Sequence, residues 1–107
     1  MNDPQYVEAA RVIGERMIRE GGATPQDRLM FGFRLVTSRR PNPEELRLLE
    51  QLYRDEHAGF VADGASAGKL LAVGEHPRDK ALDPAESAAY AIVANTLLNF
   101  DEAVFKR

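Results

Sequence analysis

The amino-acid sequence predicts an all-α domain, a compact bundle of four main helices plus one short helix, with an apolar C-terminal helix at its centre. Three observations predict it. A capping residue precedes proline at four places: Asp3-Pro4, Thr24-Pro25, Asn42-Pro43 and Asp83-Pro84. Apolar residues then recur at three- and four-residue steps, the spacing of one helix face. No alternating strand pattern of useful length appears anywhere in the chain.

Each capping pair is a helix-start signal. The capping side chain accepts a hydrogen bond from a first-turn amide that has no partner within the helix. Proline loses nothing at the first helical position, because its missing N–H would have had no partner there. Acidic or amide residues follow within each first turn and suit the positive end of the helix dipole.

The first helix is predicted over residues 4–20 and ends at Gly21-Gly22, since glycine adopts the left-handed cap conformation without strain. Its apolar stripe is Val7, Ala10, Ile13 or Gly14, and Met17.

The second helix is predicted over residues 25–37, with Leu29, Phe33 and Val36 as its stripe. Met30, Phe31 and Leu35 widen the apolar face, so we expect this helix to be the better buried of the first two. The prolines that follow force a tight corner.

The third helix is predicted over residues 43–61 and stops at Asp63-Gly64. Its buried side should carry Leu46, Leu49, Tyr53, Glu56 or His57, and Phe60. A shorter helix is expected over residues 65–73, followed by an exposed loop over 74–82.

The last helix is predicted over residues 84–105. Its stretch from 88 to 94 has almost no polar face, which indicates burial on most sides. We therefore expect the other helices to pack around it.

Composition limits the function more than it defines it. The 107 residues are expected to form one domain. Its formal net charge of −3 gives no overall positive field that would attract nucleic acid or an anionic membrane. There is no cysteine, so disulfides, thiolate catalysis and cysteine-bound metal are excluded within the chain. No stretch is apolar for long enough to span a bilayer. The first residues lack the basic region and apolar core of a signal peptide and should lead into a helix.

Catalytic and metal-binding signals are weak. The two histidines, His57 and His76, show no spacing that predicts convergence with carboxylates, so each is expected to be a surface or half-buried imidazole. Ser66 lies in a Gly-Ala-Ser-Ala-Gly-Lys string that lacks phosphate-loop spacing. Ser38 and Ser87 lie in no nucleophile elbow. We expect no cofactor and no catalytic residue.

Polar residues within the last helix are the most specific candidates. Asn95 and Asn99 share one helical face in an otherwise apolar run, and buried amides need partners. The first interpretation is a structural network with the backbone or with an arginine such as Arg34. The alternative is a polar contact to a partner or ligand, to which Asp101 could also contribute.

The corner between the second and third helices combines Arg39 and Arg40 with an acidic helix start. Arg28, Arg34, Arg39 and Arg40 are expected to lie near Glu44, Glu45, Glu50 and Glu56. Such exposed pairs stabilise by only about 0–1 kcal/mol each. A DNA-binding helix-turn-helix is a weaker alternative, because Glu44-Glu45 would face the DNA backbone with like charge.

Three strings resemble one known family. Residues 2–11, NDPQYVEAAR, are similar to its N-D-P-x-F-V-E-A-A-R opening. Residues 28–46 resemble its A-F-R-L-x-x-x-R-x-P-x-x-x-E-L middle, and residues 97–102, LLNFDE, resemble its L-L-N-L-D-E ending, with Phe100 in place of leucine. The family is the domain of unknown function numbered 1553.

This resemblance implies a C-terminal piece of a larger exported bacterial protein that often also carries a cytochrome-c-like domain. It implies an extracytoplasmic setting, with signal and haem upstream, and supplies no catalytic residues. The leading hypothesis is therefore a non-catalytic module that packs against upstream domains or a protein partner. The alternative is that Asn95, Asn99, Asp101 or His76 faces a cleft and contributes to an enzyme site completed by upstream domains.

Overall fold

The computed structural model describes residues 3–105, with side chains described for residues 3–100. This part of the chain contains five helices and no strand. The helices are α1 (Pro4–Glu20), α2 (Pro25–Thr37), α3 (Pro43–Ala62), α4 (Gly64–Leu71) and α5 (Pro84–Phe105). The all-α class is thereby confirmed.

The capping residues begin the helices as predicted. Asp3 accepts a hydrogen bond from the Gln5 amide at 2.9 Å, and Thr24 accepts one from the Asp27 amide at 3.1 Å. Asn42 and Glu45 exchange hydrogen bonds between side chain and backbone at 2.8 and 2.9 Å, which is a complete capping box. Asp83 accepts from the Glu86 amide at 3.0 Å.

The C-terminal helix α5 is the centre of the bundle. It contacts each of the other four helices, and its most extensive contact is with α1. Tyr90, Val93 and Ala94 are fully buried. Burial on all sides explains why this helix has almost no polar face in its middle.

A glycine lets α1 approach α5 closely. A Cβ placed on Gly14 would lie 2.9 Å from the backbone nitrogen of Ala91. The backbones therefore touch at this crossing, and of the two residues predicted for this part of the stripe, Gly14 is the buried one.

Two expectations need correction. α1 is the better buried of the first two helices: it buries seven residues, whereas α2 buries only Leu29, Gly32 and Phe33. Phe31 is half-buried and Leu35 is 38% exposed. The reason is that α2 lies at the edge of the bundle, so that only one of its faces packs against the other helices. The short helix runs over Gly64–Leu71 instead of 65–73, since Asp63 caps its start by accepting from the Ser66 amide at 3.1 Å.

Within residues 3–105, no helix is both long and apolar enough to cross a bilayer.

Candidate functional site

An apolar groove lies between α3 and the C-terminal half of α5, with Phe33 of α2 contributing to its lining. Its volume is about 160 Å³. The residues that line it are Phe33, Glu45, Leu48, Leu49, Thr96, Leu97 and Phe100. Leu48 is 53% exposed and Phe100 is 49% exposed. The side chains of Leu48 and Phe100 are therefore about half-exposed to solvent. The groove they border could accommodate about one or two apolar side chains.

The groove's acidic residue is already neutralised by the protein. The Arg39 guanidinium donates two hydrogen bonds to the Glu45 carboxylate, at 2.9 and 2.8 Å. These bonds, with the Asn42 amide, lower the pKa of Glu45 from 4.5 to about 2. At neutral pH the Glu45 carboxylate is ionised, and Arg39 balances its charge. The Arg39–Glu45 ion pair is one of those predicted between the arginines of residues 28–40 and the acids of α3. Arg28, from the same predicted set, pairs instead with Glu86 of α5, at 3.5 Å.

The two predicted amides meet each other. Asn99 donates a hydrogen bond from Nδ2 to Oδ1 of Asn95 at 2.6 Å. Asn95 is buried and Asn99 is exposed. Arg34 takes no part in this pair: it lies on the exposed side of α2. The side chain of Asp101 lies outside the described residues.

A buried arginine, which sequence reasoning missed, fastens the segment between α4 and α5. Arg11 is 1% exposed, and its guanidinium donates to the carbonyl oxygens of Val73 and His76, the latter at 2.8 Å. Glu8, one turn earlier on α1, accepts from the amides of Glu75 and His76 at 3.0 and 2.7 Å. We call Glu8, Arg11, Glu15 and Arg19 the α1 clamp.

The second half of the clamp holds His76 and Asp79. The Glu15 carboxylate, only 3% exposed, lies 2.9 Å from Nε2 of His76 and accepts from the Asp79 amide at 2.9 Å. Arg19 donates to the Asp79 carboxylate at 2.9 Å. His76 therefore serves to fasten its segment to α1.

A signal for the clamp exists in the sequence. Its four residues recur at steps of three, four and four, which places them on one face of α1 beside the apolar stripe. Alternating charges on a helix face normally indicate a solvated surface. Their partners are mostly backbone groups of a loop, and backbone groups leave no mark in the pattern of side chains.

The exposed side of α2 carries two hollows that share Phe31 and Arg34. One, of about 370 Å³, is also lined by Leu35 and Ser38. The other, of about 260 Å³, is also lined by Gly21, Asp27 and Met30. We call the two together the α2 trough.

The aromatic residues of α3 and α5 form a stack. The ring centres of Tyr53 and Tyr90 lie 4.3 Å apart, and the His57 ring stacks on Tyr53 with a centre-to-centre distance of 5.5 Å. Burial raises the pKa of both tyrosines above the ordinary value, so their hydroxyls stay protonated at neutral pH. The stack supplies packing to the core.

Within residues 3–100, no group of three or more His, Asp or Glu side chains is arranged to hold a metal ion. Comparison of the chain with models of known families, with curated proteins and with solved structures finds no match.

Proposed function

We propose that this chain is a non-catalytic helical module that packs against another domain of its parent protein or against a separate protein partner. The groove between α3 and α5 is the observation that carries this proposal. Exposed apolar side chains that line one groove usually mark an interface. Leu48 and Phe100 are half-exposed around this groove, whose one acid is neutralised by Arg39.

The chemistry of the groove indicates its occupant. Apart from Glu45 and Thr96, every side chain that lines it is apolar. Its small volume suits one or two Leu- or Phe-sized side chains, and an amphipathic helix presents such side chains at regular spacing. The occupant we propose is therefore an apolar helix face from a domain encoded upstream in the same gene product.

The polar clusters support a structural role for the reactive side chains. His76, Glu15 and Asp79 are engaged with one another or with backbone groups of the same chain. Their hydrogen bonds hold the segment between α4 and α5 in place. This arrangement favours a binding module over an enzyme site.

The test is calorimetric titration of the chain with the separately expressed upstream region. We expect binding in the micromolar range that Leu48→Glu abolishes, because the substitution places a charge in an apolar contact. The matched control is Val61→Glu. Val61 lies on the same helix, is 64% exposed and does not line the groove, so this variant should bind like the unmodified chain.

Two results would overturn the proposal. One is the absence of binding at high micromolar concentration; the other is equal binding by the Leu48→Glu variant and the unmodified chain. Circular dichroism of both variants shows whether the helices are retained.

The three family-like strings support a further part of this proposal: the chain is the C-terminal piece of an exported bacterial protein of domain family 1553. In this proposal the export signal and any cytochrome-c-like domain lie upstream. Sequencing the full-length gene product tests it. An export signal encoded upstream of this chain would agree with the proposal. A coding sequence that begins at Met1 would contradict it.

A further inference from the structure

The α2 trough combines apolar side chains with an arginine, Arg34, for which the described residues 3–100 provide no ion-pair partner. Phe31 and Leu35 form its apolar part around the Arg34 guanidinium, and Ser38 adds a hydroxyl. The Arg16 guanidinium lies 5.8 Å from the centre of the Phe31 ring. The trough therefore offers apolar contact and a positive charge side by side.

Arg34 differs from the arginines around it. Arg16 pairs with Glu20 at 3.0 Å, Arg28 with Glu86, and Arg39 with Glu45. No hydrogen bond or ion pair among the described side chains involves the Arg34 guanidinium. Its charge is available to an outside carboxylate. Arginine beside aromatic and aliphatic side chains is also the composition typical of interface hot spots.

The shape of the trough indicates an elongated occupant. The two hollows share Phe31 and Arg34, and the α2 residues that line them run from Asp27 to Ser38, along most of the 13-residue helix. At 1.5 Å per residue this is a length of about 16 Å. A single small anion would use only the part around Arg34.

We infer that the α2 trough binds an amphipathic helix of a partner protein that carries a carboxylate beside its apolar stripe. The carboxylate meets Arg34, and the apolar side chains lie against Phe31 and Leu35. The acid Asp27 at the other end favours a basic or neutral residue there, which gives the bound helix a direction. This surface is separate from the α3–α5 groove, so the inference does not depend on the function proposed for that groove.

The probe is a capped helical peptide of about 16 residues, with leucine at every third or fourth position and glutamates flanking that stripe. Its matched control replaces the glutamates by glutamine. Each is titrated into isotopically labelled full chain while backbone amide shifts are recorded. We expect the glutamate peptide to shift amides between residues 27 and 38, and to bind more weakly as salt is added.

Variants of the chain locate the contact. Arg34→Gln should weaken binding of the glutamate peptide about two- to fivefold, the contribution of an exposed ion pair. Arg40→Gln, a change of the same charge outside the trough, should leave binding unchanged. Leu48→Glu should also leave it unchanged, which separates failure of this inference from failure of the groove proposal.

Four results would overturn the inference. They are shifts confined to the α3–α5 groove, equal binding of the glutamine peptide, indifference to Arg34→Gln, and sedimentation showing that the trough is covered by a second copy of the chain. The last would appear as a concentration-dependent dimer that Arg34→Gln dissociates.

Discussion

Arg11 of α1 donates a hydrogen bond to the carbonyl oxygen of His76, 65 residues further along the chain, at 2.8 Å. This contact joins the first helix to the segment that leads into the last one. The same guanidinium also donates to Val73. A charged side chain with 1% exposure is expensive to bury, and these carbonyl bonds offset that cost. Polar contacts to α1 therefore help to hold the segment between α4 and α5 in place.

Arg11→Met should destabilise the fold by about 2–4 kcal/mol, because the carbonyl oxygens of Val73 and His76 lose their donor. Urea unfolding followed by circular dichroism measures the change. Arg47→Met is the control: Arg47 and its partner Glu44 are both more than 60% exposed, so the loss of stability should be much smaller than that of Arg11→Met. Equal effects of the two substitutions would contradict the structural role of Arg11.

Hydrogen exchange gives a local test of the same contact. The amides of Glu75, His76 and Asp79 donate to clamp carboxylates. In Arg11→Met these three amides should exchange faster by a larger factor than amides in the middle of α5. A uniform acceleration would show instead that the substitution destabilises the whole chain evenly.

Gly14→Ala should destabilise the protein by about 1–3 kcal/mol, because the new methyl group would overlap the backbone of α5 at Ala91. Gly59→Ala is the matched control, and the opposite change in stability is expected for it. No atom lies within 4 Å of a Cβ placed on Gly59 inside α3, so alanine should stabilise the fold by about 0.5–1 kcal/mol. Thermal unfolding separates the two, with a shift of about 4–8 °C per kcal/mol. A stabilising Gly14→Ala would be inconsistent with the close helix crossing.

The ion pair of Glu45 and Arg39 should make stability depend on pH in the acid range. The pKa of Glu45 is lowered from 4.5 to about 2 in the folded chain. The stabilisation is therefore fully present above about pH 4.5 and is lost as pH falls through 2. Glutamine retains the capping interaction, so comparison with Glu45→Gln isolates the effect of the charge.

The measurement is the difference in unfolding free energy between the unmodified chain and Glu45→Gln at several pH values. The difference should be constant from pH 7 to 5 and should shrink towards pH 2. The control, Glu50→Gln, removes a carboxylate that has no described hydrogen bond and should show no comparable trend. A Glu45 difference that persists undiminished at pH 2 would rule out the depressed pKa.

The helices were predictable because their signals are local. Asn42-Pro43 with Glu45 specifies a capping box within four residues, and the structure forms it. The apolar run of α5 likewise predicted a central position. Both inferences depend on neighbours in sequence, whose geometry a helix fixes.

The polar contacts were less predictable because they join residues that are distant in sequence. One interpretation of the α5 amides is a network with the backbone or with an arginine such as Arg34, but the Arg34 side chain lies on the exposed side of α2. Arg11 was part of a charged stripe that is typical of a solvated face, yet the loop after α4 covers it. Which face a loop covers depends on the path of the whole chain, and helical periodicity does not encode that path. The exposure of Leu48 also depends on which helices pack beside it.

The most direct measurement of the central claim uses the absence of cysteine from the chain. Leu48→Cys introduces one thiol at the groove, and Val61→Cys introduces one at an exposed position outside it. Maleimide labelling rates are compared between the isolated chain and the chain within its assembled parent protein. If the groove is the contact surface, assembly should slow labelling at position 48 by at least about tenfold and leave position 61 unchanged. Equal labelling rates at position 48 in both states would contradict the account.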